Sequence, residues 1–174
     1  GQWRMALNVD NTQHLWIHNM TLELSGGDGI YLSTGNRNTT ITHVTSRLNY
    51  RQGLSVIDSH GLLVENSIFE STDGTAPMGG VDIEPNTPLE KSVGLVFRHC
   101  IFRNNSGSQF YVSLHAYSND STPVDVLVEN CVMDGGARPT HRTVHCTWVS
   151  RQATQATLPE AEPRATAAPL CSVT

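Results

Sequence analysis

Two carboxylates, Asp82 and Glu84, alternate with Val81 and Ile83 in residues 78–86, which read MGGVDIEPN. Side chains along a strand point to opposite faces, so we expect the apolar pair in a core and both carboxylates side by side outside. Outward residues at this spacing lie about 6.5–7 Å apart, at the lower end of the carboxyl separation of inverting glycosidases. An ordinary solvent-exposed strand face carries the same pattern. The choice between a catalytic pair and such a face therefore depends on the surrounding elements.

The elements around this strand repeat along the chain. Short alternating strands close on Asn or His, and each is followed by a brief second run, a polar loop and a third strand. The apolar anchors of the first strands follow one another at 24, 23, 33 and 31 residues, and they are Ile17, Ile41, Val64, Phe97 and Val128. The Leu-x-x-Leu-x-Leu-x-x-Asn spacing of a leucine-rich repeat, whose period is similar, is absent.

A period near 23 residues with insertions is typical of a solenoid whose coils must stack to bury their apolar faces. Asn at the corners tolerates left-handed backbone conformations. The sequence therefore predicts an all-β, right-handed parallel β-helix of about four to five coils. We place this domain at residues 1–136 and an irregular or disordered tail, rich in Ala, Thr, Pro and Arg, at residues 137–174. Open solenoid ends leave strand edges at which self-association is expected.

Composition narrows the classes of partner. The chain has 174 residues and a formal charge of −5, from 11 Lys plus Arg against 16 Asp plus Glu, and no basic patch. Nucleic acid is therefore an unexpected partner. No run of 18 apolar residues is present, so the sequence predicts no membrane span.

Aligning the third strands brings the candidate site together. Asp82 is expected between Ser55 and Ser113 on neighbouring coils, and Glu84 between Ile57 and His115. Because Ile57 is apolar, Glu84 is the predicted general acid with the raised pKa, and Asp82 is the predicted base.

The same face carries residues suited to binding sugars, since aromatic rings stack on sugars while amides and charged groups bond hydroxyls. The predicted substrate-binding residues are Tyr31, Tyr50, Arg51, Gln52, Asn86 and His115. The predicted partner is a polysaccharide or glycan.

Several motifs resemble the right-handed β-helix proteins of the pectate-lyase-like superfamily over residues 15–136. They are Val-Glu-Asn-Ser-Ile-Phe, Val-Glu-Asn-Cys-Val-Met, Gly-Gly-Asp-Gly-Ile-Tyr-Leu and Gly-Val-Asp-Ile-Glu-Pro-Asn. The resemblance implies a hydrolase, lyase or epimerase acting on polysaccharides, and an extracellular, secreted protein. Asp28 lies in Gly-Gly-Asp-Gly-Ile, which is similar to the Asp-Gly-Ile of pectin hydrolases, although Asp before Gly is favoured here as ordinary turn chemistry.

Two alternatives to hydrolysis stay open. A lyase or epimerase needs a base and a cation to neutralise a uronate, and Arg51, His115, Tyr31 or Ca²⁺ held by Asp28, Asp82 and Glu84 are the candidates. Otherwise no cofactor is expected. In the other alternative, the chain is a non-catalytic glycan-binding or structural β-helix.

Several cysteine, histidine and tryptophan residues outside the candidate site are predicted to have structural roles. Cys100 and Cys131 take the same position in successive coils and are predicted to be buried thiols in a ladder, with a disulfide as the alternative. His43 and His99 take the corner position held elsewhere by Asn, and Trp3 and Trp16 are predicted to pack or to cover the N-terminal end. His141 and His145 have a metal-like spacing that we attribute to chance.

Overall fold

The computed structural model describes residues 1–135, 144–151 and 170–173. This part of the chain contains strands and no α-helix, and therefore no helix that spans a membrane. The strands are β1 (Leu7–Val9), β2 (Trp16–Glu23), β3 (Ile30–Leu32), β4 (Asn36–Arg47), β5 (Gln52–Val56), β6 (Ser59–Glu65), β7 (Ile68–Glu70), β8 (Gly79–Ile83), β9 (Ser92–Arg98), β10 (Ile101–Arg103), β11 (Phe110–Val112), β12 (Asp125–Asp134), β13 (Val144–Arg151) and β14 (Leu170–Val173).

The strands stack into an all-β parallel solenoid of about five coils, which confirms the predicted fold. One sheet contains the third strands in the order β1-β3-β5-β8-β11, all parallel. The larger sheet contains the first and second runs, from β2 and β4 through β6, β7, β9 and β10 to β12. Strand β13 then pairs with β12 in the antiparallel sense, and β14 with β13. His141 lies outside the described residues, as does the side chain of His145.

A row of left-handed residues turns the chain between the first and second runs of each coil. These residues have φ between 50° and 54° and are Asn19, His43, Asn66, His99 and Asn130. Asn adopts this conformation more readily than other non-glycine residues, because its short side chain bonds locally. The structure thus confirms that His43 and His99 take the corner position of Asn.

The interior is filled by the inward side chains of both sheets. From the third strands, Ile30, Leu54 and Val81 have no exposed surface, and the same holds for Val64 and Phe97 of the larger sheet. Each third strand is therefore fixed at its apolar positions, and the side chains between them line the outer face.

The last coil differs from the predicted alignment by two residues. Phe110, Tyr111 and Val112 lie opposite Val81, Asp82 and Ile83, so Tyr111 rather than Ser113 neighbours Asp82. The Phe110 ring packs edge-on against two buried rings, those of Phe97 and Phe102, with centroids 4.9 and 5.5 Å away. A shift of two residues leaves every side chain on the same face, so alternation does not select the register, and the observed register is the one that packs the Phe110 ring against the core.

A row of charged residues of alternating sign runs across the larger sheet. Register pairs join each member to the next, and the row is Glu23, Arg47, Glu70, Arg103 and Asp134. Two of the pairs are ion pairs with Nε to Oε2 distances of 2.6 Å, Arg47 with Glu23 and Arg103 with Glu70. We call this row the charge ladder.

The predicted thiol ladder is present. Cys100 and Cys131 are both buried and free, and the backbone N–H of Cys100 points at the Cys131 sulfur at 3.4 Å. The hydrogen bond with Cys131, together with burial, raises the pKa of the Cys100 thiol. The thiol is therefore protonated and serves in packing.

Candidate functional site

A shallow cleft lies on the outer face of the smaller sheet, over β5 and β8. It encloses about 80 Å³ and is lined by Trp3, Tyr31, Arg51, Gln52, Ser55, Ile57, Asp82, Glu84 and Asn86. Typical small-molecule pockets are roughly 300–1,000 Å³, so this cleft contacts one edge of a ligand instead of enclosing it. Six of the eight predicted site residues, including both carboxylates, are brought together here.

Asp82 lies at the floor of the cleft with 2% of its surface exposed. Its Oδ2 accepts a 2.7 Å hydrogen bond from the Gln52 side-chain amide, and Ser55 lies beside it on the adjacent strand, as predicted. Burial raises the pKa of Asp82 to about 6, the Gln52 hydrogen bond opposes the rise, and the nearby Glu84 carboxylate adds to it. Asp82 therefore retains a proton to a much higher pH than an ordinary carboxyl group.

Asp82, and not Glu84, is the more desolvated carboxyl group of the pair. Glu84, expected to be the more desolvated of the pair, keeps 31% of its side chain exposed although Ile57 borders the same cleft. Asp82 was expected on an exposed face and is buried, because the Ser55 and Tyr111 strands flank it and Gln52 covers it. The carboxyl group with the raised pKa is therefore that of Asp82.

An ion pair supports the cleft from below. Asp28 has no exposed surface, and its Oδ2 accepts hydrogen bonds from Ser55 Oγ at 2.7 Å and from an Arg51 Nη1 at 3.1 Å. Burial raises the pKa of Asp28, while the Ser55 hydrogen bond and the Arg51 charge favour its ionised form. Asp28 is thus a buried partner of Arg51, and not merely the turn residue that the sequence favoured.

Trp3 is the lining residue that the sequence analysis missed. The sequence predicts that it packs or covers the N-terminal end, whereas 64% of its surface is exposed and the Arg51 guanidinium lies 5.3 Å from its ring centroid. Tyr31 lines the same cleft, and burial followed by the nearby Asp28 charge raises the pKa of its hydroxyl. A solvent-facing indole held by a cation is suited to stacking against a flat ligand. No periodic pattern in the sequence marks this residue.

Two predicted substrate-binding residues do not line the cleft. Tyr50 packs against Gly74 in the loop before β8, and 45% of its surface is exposed. His115 is bonded through Nδ1 to Ser113 Oγ at 2.8 Å, and the same nitrogen lies 3.9 Å from Glu84 Oε1. His115 is therefore a neighbour of Glu84 at the rim.

The predicted Ca²⁺ ligands do not form a cluster. Within the described residues, no group of three or more His, Cys, Asp or Glu side chains is placed to hold a metal ion. Asp28 is instead oriented toward Ser55 and Arg51.

Comparison with known proteins agrees with the architecture. The model of the right-handed β-helix region family matches residues 3–151. Comparison with curated proteins and with solved structures finds no significant match. The match covers most of the chain, and the stacked parallel coils are those of this family, as the resemblance to pectate-lyase-like proteins implied at the level of the fold. The chain therefore belongs to the right-handed β-helix family.

Proposed function

We propose that this protein is a polysaccharide hydrolase of the inverting type, with Asp82 as general acid and Glu84 as general base. The observation that carries the proposal is the unequal environment of two neighbouring carboxyl groups in one cleft. Asp82 is buried with its pKa raised to about 6, and Glu84 is partly exposed. Paired carboxyl groups in contrasting environments are the usual source of an acid and a base at one pH.

The spacing of the pair supports the inverting type. Residues two apart on a strand lie about 6.5–7 Å apart, which leaves room for a water molecule between the base and the sugar. Glu84 activates that water, and Asp82 gives its proton to the leaving oxygen. Trp3 and Tyr31 both line the cleft, and in this proposal they contact the sugar ring. We include a secreted location in the same proposal, because the polysaccharide substrates of such hydrolases are mostly extracellular.

Hydrolysis is favoured over the lyase or epimerase reaction by the state of Arg51. A lyase needs a cation to neutralise the substrate carboxylate, and Arg51 is the basic residue that lines the cleft. Its Nη1 is bound by the buried Asp28. The charge that a lyase would use is therefore already compensated.

One observation favours a second function, glycan binding without cleavage. Asp82 has 2% of its surface exposed, and a general acid must reach the glycosidic oxygen. In a binding module, Asp82 and Gln52 form a buried polar contact and only the rim residues touch the glycan.

The test is incubation of the full chain with a panel of neutral and acidic polysaccharides. New reducing ends without the absorbance of unsaturated uronates support hydrolysis, and proton NMR of the first product identifies the anomer. Asp82→Asn and Glu84→Gln are expected to lower the rate by at least about 100-fold. Asp120→Asn, on an exposed loop, is the matched control and should leave the rate unchanged.

The other outcomes of this experiment distinguish a hydrolase from a binding module and from a lyase. Saturable binding with no new ends from a folded sample supports the binding module. Unsaturated products establish a lyase and contradict the proposal, as does full activity of Asp82→Asn.

A further inference from the structure

The charges around the cleft are unevenly distributed. Arg51 is the basic residue among the lining residues, whereas Asp82 and Glu84 both contribute carboxyl groups. Below the cleft, and not among its lining residues, Asp28 contacts Arg51 with both carboxylate oxygens, at 3.1 and 3.4 Å from Nη1. When both Asp28 and Glu84 are ionised, the cleft has no unbalanced positive charge to offer a ligand.

We propose that Asp28 is a specificity-determining residue, which neutralises Arg51 and so makes the cleft select uncharged sugar chains over polyuronates. This inference rests on the proposed function and names the substrate class of the same site. A uronate carboxylate in the cleft would meet the partly exposed Glu84 and would find Arg51 already paired with Asp28. Like charges at short range are unfavourable, and they are screened less in a partly buried site than in open solvent.

The position of Arg51 agrees with binding of a neutral ligand. Its guanidinium is fixed between the buried Asp28 carboxylate and the face of Trp3. Both hydrogen bonds to Asp28 use Nη1, and a guanidinium carries five N–H donors in a fixed geometry. Such a group donates hydrogen bonds to sugar hydroxyls without requiring a negative charge.

The burial of Asp28 keeps dissolved ligands away from its carboxylate, which contacts Arg51. Asp28 has no exposed surface, and Ser55 Oγ holds its Oδ2 at 2.7 Å. A uronate therefore has no route to displace Asp28 from Arg51, unlike at a surface ion pair, where solvent and ligand compete freely.

The test uses pairs of polymers that share a backbone and differ in whether their carboxyl groups are charged. Binding and cleavage are measured for polygalacturonate against its fully methyl-esterified form, and for alginate against carboxyl-reduced alginate, with neutral xylan and β-glucan alongside. The wild-type chain is expected to bind a neutral member at least about tenfold more tightly than its acidic counterpart at low salt, and the ratio should fall at about 0.5 M NaCl.

The variant Asp28→Asn keeps the shape of the side chain and removes its charge, so Arg51 becomes uncompensated. We expect it to improve polyuronate binding by about threefold or more relative to the neutral partner. The matched control is Asp58→Asn, which removes one carboxylate that accepts from the Gly35 and Lys91 backbones at another turn, and it should not change the ratio.

The outcomes distinguish this inference from the proposed function. Equal or tighter wild-type binding of an acidic member overturns the inference and leaves hydrolysis standing. An unchanged ratio in folded Asp28→Asn also overturns it, and if that variant does not fold, the wild-type ratio decides alone. Failure to bind or cleave any polymer overturns both.

Discussion

The side-chain amide of Gln52 donates a 2.7 Å hydrogen bond to Oδ2 of Asp82, and both residues are almost completely buried. The other oxygen of each side chain, Gln52 Oε1 and Asp82 Oδ1, has no hydrogen-bond partner among the described residues. The contact links β5 to β8 beneath the cleft. The protonation of the proposed acid is therefore coupled to the stability of the solenoid and to one neighbouring amide.

Asp82→Asn should stabilise the protein at neutral pH. The folded pKa of Asp82, about 6, exceeds its ordinary value of 3.8 because burial disfavours the charge. The folded state therefore holds a proton that the unfolded state releases, and this contribution is full below pH 4 and is lost as pH rises through 6. Asn does not titrate, so the variant does not lose this contribution. As the pH rises from 4 to 7.5, its free energy of unfolding should increase by up to about 3 kcal/mol relative to that of wild type.

Urea unfolding of both proteins at pH 4 and pH 7.5 measures this difference. Asp120→Asn, at an exposed site, should show the same pH dependence as wild type. A difference between Asp82→Asn and wild type that does not change with pH would show that Asp82 ionises normally.

Gln52→Met should raise the pKa of Asp82. The amide donates to the carboxylate and so favours its ionised form, and a hydrogen bond to a charged group contributes about 1.5–3 kcal/mol. Removing it should move the alkaline limb of the pH–rate profile upward by about 1–2 units. Carbon-13 NMR of the Asp82 carboxyl group gives the same shift independently of activity, and an unchanged titration would mean that Gln52 is only a packing residue.

Trp3→Ala should weaken glycan binding without destabilising the fold. The indole is 64% exposed and lines the cleft beside Arg51. Its loss therefore removes a stacking surface and little of the packing in the hydrophobic core. Removal of one stacking aromatic should lower affinity by about fivefold or more. Trp16, also 64% exposed and on the larger sheet, is the matched control. Equal losses of affinity in Trp3→Ala and Trp16→Ala would contradict the placement of the site.

Leu48→Asn should stabilise the protein by about 0.5–1 kcal/mol. Leu48 has a φ of 54° and 47% exposure, so a residue poorly suited to left-handed backbone lies there with little compensating burial. Thermal unfolding measures the change. Leu63→Asn, in the regular strand β6 where Leu63 is half-buried, should destabilise, and a loss of stability in both variants would refute the strain argument.

The repeat was readable from the sequence because stacking imposes it on every coil. Inward positions such as Ile41, Val64 and Phe97 must be apolar, and corner positions such as Asn66 must tolerate a positive φ. Both requirements depend on residue type at a fixed spacing. That is why the number of coils and the pairing of Ser55 with Asp82 could be predicted.

The exposure of individual side chains could not be predicted from the repeat of residue types. The register of Tyr111 against Asp82 depends on where the Phe110 ring packs, and the burial of Asp82 depends on the Gln52 side chain across the sheet. The Trp3 ring lies beside the Arg51 guanidinium, and no sequence spacing predicts that contact. Alternation gives the face of a residue, whereas the pKa and the shape of a cleft come from contacts between coils.

The charge ladder makes alternate coils of the solenoid different, because neighbouring coils carry charges of opposite sign. Neighbouring coils present opposite signs, from Glu23 and Arg47 to Arg103 and Asp134, with register partners one strand spacing of about 4.8 Å apart. Duplicating a single coil, or deleting one from the interior of the row, would place two like charges opposite each other, at a cost of about 0.2–1 kcal/mol for the pair. Adding or removing two coils together keeps the alternation, so the unit by which this protein lengthens without penalty is a pair of coils.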